Sequence, residues 1–243
     1  MFIYTFFFLI LTLALLLLSN DLTKVIITMT NIILGVTPLI GMLFGVMYFY
    51  SSREFIELLL SQPVSRRSVF SGVYMGLALS LSLSVLLGVG VPMIIFGVLT
   101  SSVLSNFLTL LLLSAVLSII FSLMAFVLAL KNDDKVKGFG KAIFLWMFFA
   151  LIYDGVFLLL LMIFKDYPLE KLTISLSLLN PIGLARTLMI LKLDVSAMMG
   201  YSGAVLQRFL GSGTGAILII SCLGLWLTLP LWRLLSLSAK KDF

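Results

Sequence analysis

Residues Phe107–Leu130 read FLTLLLLSAVLSIIFSLMAFVLAL, an apolar run without one charged side chain. At 1.5 Å per residue, a helix of this length rises about 36 Å, enough to cross the ~30 Å hydrocarbon core of a bilayer. The run does not alternate polar and apolar, as a membrane barrel strand would. A helix also pairs its backbone groups within itself, which hydrocarbon demands. Comparable stretches run at about Phe2–Leu18, Val25–Tyr50, Val73–Leu99, Ala142–Phe164 and Gly215–Leu235. The expectation is an all-α integral membrane protein: one transmembrane domain over 1–243, with six transmembrane helices.

Composition points the same way. Of 243 residues, 62% are hydrophobic and 11% charged, with a mean hydropathy of +1.25. A soluble domain carries roughly 25% charged residues. So much apolar surface needs lipid around it. The net charge of +6, from 16 Lys+Arg and 10 Asp+Glu, reads as topogenic and not as a nucleic-acid footprint. The first run begins at Met1 without a basic region or a small-residue cleavage site, so it reads as a span and not a signal peptide. Cys222 is the single cysteine, and histidine is absent. That removes an internal disulfide and the commonest metal ligand and catalytic base. Pro38, Pro92 and Pro230 fall inside spans and should kink them.

Lys and Arg orient the chain. Arg53, Arg66, Arg67, Lys131, Lys135, Lys137, Lys141, Arg233, Lys240 and Lys241 fall on one side. Lys24, Lys165, Lys171, Arg186, Lys192 and Arg208 fall on the other, mostly in the long 165–214 loop, where charge counts for less. The connection 51–72, the loop 131–141 and both termini are therefore expected in the cytoplasm, and 165–214 outside.

The connection 51–72 contains a short amphipathic helix. Ser52 can cap it, and Pro63 biases Gln62 out of helical geometry. Glu54, Glu57 and Ser61 share one face, while Phe55, Ile56, Leu59 and Leu60 cover much of the rest. Two readings stand. It can anchor the loop at the interface, with Arg66 and Arg67 obeying the positive-inside rule, or it can dock into a groove of a cytoplasmic partner.

The stretch REFIELLLSQPVSRRSVFSGVYMG (53–76) resembles the cytoplasmic coupling segment of ABC-2-type transporter permeases: an acidic amphipathic helix, a Leu-rich turn, Pro, and a basic residue leading into the next span. LWMFFALIYDGVF in span five, LLNPIGLARTLMILKLDVSAMMGYSGAVLQRFLG in the loop, and the six-span layout are similar to permeases of the nitrous-oxide reductase maturation transporter. The resemblance covers nearly the whole chain. It implies the ABC-2, type V exporter-like fold, with a short cytoplasmic coupling helix and an outer helical loop. It also implies a homodimer working with a separate ABC ATPase that binds the ATP and Mg, so this chain holds no cofactor and is not itself an enzyme. Arg53, Glu54, Phe55, Glu57, Leu58, Arg66 and Arg67 would then form the ATPase-docking segment. One departure is that such permeases carry a basic amphipathic elbow helix before span one, whereas this sequence starts directly in the span.

Other residues could carry chemistry. Asp154, after Tyr153, is the one acid inside a span, which costs several kcal/mol unless paired or wet. It reads as a functional group or as a packing residue bonded to a hydroxyl or amide such as Asn31. No paired intramembrane charge is visible. In the outer loop, Asn180-Pro181 makes a helix start with Asn as cap and Pro at the first position. A helix Ile182–Lys192 follows, then a second from Asp194 or Ser196 through Arg208, both expected to lie on the outer face. Asn180, Pro181, Arg186, Met198, Met199, Tyr201 and Arg208 are the candidate contacts to an extracytoplasmic partner. Adjacent Met198 and Met199 are soft ligands but point about 100° apart on a helix, so no metal site is assigned. Gly138-Phe139-Gly140-Lys141 lacks the spacing of a phosphate loop and reads as a flexible basic loop.

The reading is a multi-pass inner-membrane permease subunit of an ABC transporter, with lipid around it and no nucleic acid. The resemblance adds a role in copper-site maturation of nitrous-oxide reductase, with a periplasmic partner. The alternatives are a generic ABC-2 exporter for lipid, drug or ion, and a stand-alone channel or secondary transporter.

Overall fold

The computed structural model describes residues 1–19, 21–164, 176–193 and 213–239. These residues form helices: α1 Phe2–Leu18, α2 Leu22–Ser51, α3 Arg53–Leu60, α4 Arg66–Ile95, α5 Leu104–Lys131, α6 Lys135–Met147, α7 Tyr153–Ile163, α8 Pro181–Lys192 and α9 Gly213–Ser238. A π-helical turn, Phe148–Ile152, joins α6 to α7, and a 3-10 turn, Val98–Thr100, precedes α5.

Short polar signals mark the boundaries. Asp21 starts α2 by accepting from Thr23 N at 2.9 Å. Ser65 starts α4 by accepting from Ser68 N at 3.3 Å, and Gly97, at φ 83°, turns the chain after α4. That left-handed backbone is cheap only for glycine. Asp134 caps α6 by accepting from Val136 N at 2.8 Å and Lys137 N at 3.3 Å. The stretch expected as a flexible loop through Lys141 is therefore mostly helix, because a carboxylate cap satisfies the first free N–H groups. Ser52 makes no side-chain cap for α3. Its carbonyl accepts from Ile56 N at 2.9 Å instead.

Among the described residues, five helices are long and apolar enough to cross a membrane: Leu22–Ser51, Arg66–Ile95, Leu104–Lys131, Lys135–Leu160 and Ile217–Ser238. The chain is a multi-pass membrane protein. The sixth expected span, α1, has 17 residues. It rises only about 26 Å, short of the ~30 Å core.

The centre of the bundle is α2 against α5, with α4 packed on α5 and α1 on α4. Small residues allow the central approach. A Cβ on Gly45 would lie 2.6 Å from Ala125 Cβ and 3.0 Å from Ser122 O, and one on Gly41 would lie 3.3 Å from Phe121 Cβ. Gly41 and Gly45 are four apart, so one face of α2 is cut down to backbone, the pattern that lets membrane helices touch. Gly88 does the same for α4, where a Cβ would lie 2.8 Å from Thr5 O of α1. Toward the Arg53 end, Phe49 meets Phe126 edge-on at 5.0 Å between ring centroids, and Tyr74 meets Phe126 at 5.8 Å. The middles of α2, α4 and α5 are half buried or more, while α6–α7 and α9 present most of their apolar surface outward.

Helix α8 does not lie flat on an outer face, as its polarity suggested. It packs into the bundle against α2, α5 and α9 and buries Ile182, Leu184, Ala185, Leu188 and Met189. Its start sits deep: Asn180 Nδ2 donates to Phe149 O at 2.9 Å. Its end lies beside the start of α5, where Lys192 Nζ donates to Ser105 Oγ at 3.1 Å. Phe149 stands about 21 Å of helix rise from Lys135, so α8 begins within the bundle and climbs away from the basic end. The expected second helix of this loop lies outside the described residues.

Candidate functional site

At the basic end, α3 hangs between α2 and α4. Ile56 is fully buried, with Leu59 and Leu60 half buried beneath it. Phe55 is 56% exposed and Leu58 60%, and Glu54 and Glu57 are exposed beside them. One face thus fixes the helix to the bundle, and the other offers two large apolar side chains between two acids. Arg53 Nε meets Glu57 Oε1 at 2.9 Å, an exposed pair worth about 0.3–0.5 kcal/mol. Arg66 and Arg67 are exposed in the first turn of α4. Cations oppose the helix dipole there, at roughly 0.3–1 kcal/mol each. Helix stability therefore does not explain their position.

Tyr50, at the end of α2 just before α3, was not singled out from the sequence. Its hydroxyl donates to Asn132 O at 2.6 Å and lies 3.1 Å from Asp134 O. The ring and its hydroxyl lie where a Cβ of Gly138 would go. Lys141 adds a hydrogen bond to the Asn132 side chain. The base of α3 is thereby joined to the α5–α6 turn, and Ile56 joins it to the bundle core. Displacement of α3 would be carried into α2, α4 and α6.

The second constellation lies within the bundle. Arg186 Nη1 of α8 stands 2.5 Å from Asp154 Oδ2 of α7. The side chains are 37% and 34% exposed. This corrects the expected hydroxyl or amide partner such as Asn31, and the expectation that intramembrane charges are unpaired. An unpaired charge at this depth is costly, and pairing removes most of that cost. The π turn prepares the contact. Tyr153 N–H reaches Phe148 O, skipping Phe149 O, which Asn180 Nδ2 then fills. Asn180 Oδ1 accepts from Ile182 N at 3.0 Å, so one amide caps α8 and docks it to the bulge. Tyr153 Oη donates to Leu176 O at 2.5 Å, tying α7 to the approach to α8.

Asn180 and Pro181 are buried and Arg186 is held by Asp154, so these three serve the docking of α8. Met198, Met199, Tyr201 and Arg208 lie outside the described residues. The only sequence signal for the Arg186 contact was that one acid sat inside a span and one base in a nearby helix.

No family model matches the chain. Over 109 residues it is 30% identical to the probable ABC transporter permease protein NosY of Pseudomonas aeruginosa. The match covers 45% of this chain and 36% of that relative.

Proposed function

We propose that the chain is the membrane-spanning permease subunit of an ABC transporter, driven by a separate ATPase. The supporting observation is α3, a short rigid helix with an apolar and acidic outer face, joined to three helices of the bundle. The similarity to NosY supports the same reading. The basic end would face the cytoplasm, where Lys and Arg accumulate, and α1 would complete six spans of an ABC-2 permease in the inner membrane. ATP and Mg would reside in the partner. Closure of two ATPase subunits would pull on α3 in each half of a homodimer. Such coupling requires docking contacts that differ between the two states, and Arg53, Glu54, Phe55, Glu57, Leu58, Arg66 and Arg67 are the groups proposed to make them.

The resemblance of the 165–214 loop to permeases of the nitrous-oxide reductase maturation transporter makes copper-site maturation the proposed task. Met198, Met199, Tyr201 and Arg208 are the proposed contacts to a periplasmic partner. A generic ABC-2 exporter would keep α3 but not need this loop sequence. A stand-alone transporter is favoured less: among the described residues, the Asp154–Arg186 pair within the bundle serves to join a helix to its neighbour. The test is copurification in mild detergent from native membranes. Recovery of an ATPase with the tagged chain, lost on Phe55→Ala/Leu58→Ala, is expected. Recovery of the folded chain alone, under conditions that preserve other such complexes, overturns the proposal.

A further inference from the structure

Where α5, α8 and α9 meet, a groove of about 670 Å³ opens on the side of the bundle. Its walls include Leu108, Leu112, Val116, Leu188, Leu223 and Leu227. On α9 it passes Gly224, where a Cβ would find nothing within 4 Å. At one end the lining turns polar, with Ser105, Thr109 and Lys192. Among the described residues, the hydrogen-bond partner of the exposed Lys192 ammonium is the Ser105 hydroxyl.

Two features together specify an occupant. From Ser105 to Val116 the wall rises about 17 Å, close to the ~15 Å depth of one leaflet's hydrocarbon. The cation sits at the mouth, level with the start of α5, the level at which phosphates would lie if the groove spans one leaflet. A polar ligand would meet mostly leucine below the mouth, and an uncharged chain would make no use of Lys192.

We propose that this groove binds one anionic phospholipid of the leaflet on the Lys192 side. An acyl chain lies along the leucines, and the phosphate takes Lys192 with the hydroxyl of Ser105, while Thr109 Oγ1 keeps its bond to Ser105 O at 2.8 Å. The lipid packs on Leu188, in the helix that carries Arg186, so lipid composition bears on how α8 is seated. The proposal needs only that the chain lies in a membrane and does not depend on a permease role.

The test is native mass spectrometry of the full chain, purified in mild detergent with its bound partners and titrated with phosphatidylglycerol or phosphatidylcholine. One retained phosphatidylglycerol per chain is expected, preferred about fivefold, which is what one lysine at a membrane surface supplies. Lys192→Gln should bring the preference to about one while phosphatidylcholine is still retained. Gly224→Phe, whose Cβ would find nothing within 4 Å and whose ring would extend into the groove, should abolish retention of both lipids at an unchanged melting temperature. A preference unchanged by Lys192→Gln overturns the proposal. So does a preference lost only in Arg233→Gln, which would move the lipid to the groove lined by Trp232 and Arg233. Loss of self-association in Gly224→Phe with lipid retention intact would make the groove a contact between copies, and also overturns it.

Discussion

Arg186 Nη1 lies 2.5 Å from Asp154 Oδ2, joining α8 to α7 across the segment 165–175. The contact pairs charges on two different helices, and it sits beside a π turn. It decides how α8 is held. Removing one charge of a buried pair costs about 3–5 kcal/mol because the other is left uncompensated. With a third of each side chain exposed, roughly 1–3 kcal/mol is expected here. Asp154→Asn and Arg186→Gln should each lower the melting temperature in detergent. The double variant should be no worse than either single one, since neutralising both ends removes the stranded charge. Strictly additive losses would show that the pair does not act as a unit.

The two faces of α3 should separate in experiment. Ile56→Ala empties a fully buried site and should destabilise the chain by about 2–4 kcal/mol. Phe55→Ala and Leu58→Ala alter exposed positions, and stability should stay within about 0.5 kcal/mol. If α3 docks an ATPase, these same two changes should weaken its recovery about tenfold or more, as for apolar anchors at an interface. A melt and a pull-down on the same variants distinguish the cases. Unchanged recovery would assign Phe55 and Leu58 to the lipid interface.

Gly45→Ala sets two effects of opposite sign against each other. Alanine gains about 1 kcal/mol in helix propensity. Its Cβ would sit 2.6 Å from Ala125 Cβ, an overlap that costs roughly 1–3 kcal/mol. Ala125 and Ser122 belong to the best-packed helix of the bundle and cannot simply swing away, so net destabilisation is expected. Ala125→Gly in the same chain should restore the melting temperature toward the parent value. A stabilised Gly45→Ala would mean that α2 and α5 part more easily than their packing implies.

Tyr50→Phe tests the lock at the basic end. The change deletes a hydroxyl shared by Asn132 O and Asp134 O but keeps the ring beside Gly138. A stability loss of about 1–2 kcal/mol is expected. Hydrogen exchange should accelerate at the amides of 132–138 while those of α5 are unchanged. If the turn carries motion from α3, ATP-driven activity should fall more than ATPase recovery. Unaltered exchange in the turn would show that Lys141 and Asn132 hold it without Tyr50.

Much of the secondary structure was legible because hydrocarbon leaves a chain few options. The charge-free run at Phe107–Leu130 is the body of α5, and Asn180-Pro181 marks the start of α8, its amide accepting from Ile182 N. Both follow from local rules: backbone groups must be paired within the helix, and a cap needs one side chain near its own N–H groups. The stretch Gly138–Lys141, read as a flexible basic loop, is helix because the Asp134 carboxylate caps α6. The exposed and buried faces of α3 were only partly legible, since Phe55 and Ile56 are equally apolar and which one faces the bundle depends on where α2 and α4 stand.

The sequence by itself determined that this chain lives in a membrane as helices, and that a short amphipathic segment lies at its basic end. The tertiary structure alone decided which helices touch. Helices that satisfy their own backbone carry little record of their neighbours, so the Gly45–Ala125 approach and the turning inward of α8 could not be read from periodicity. The count of spans sharpened for the same reason: the five long helices meet the thickness of the hydrocarbon by length alone, whereas α1 falls short of it. Asp154 and Arg186 stand 32 residues apart. They meet because a π turn opens one carbonyl and the Asn180 amide fills it, seating α8 where an unpaired charge would otherwise face hydrocarbon.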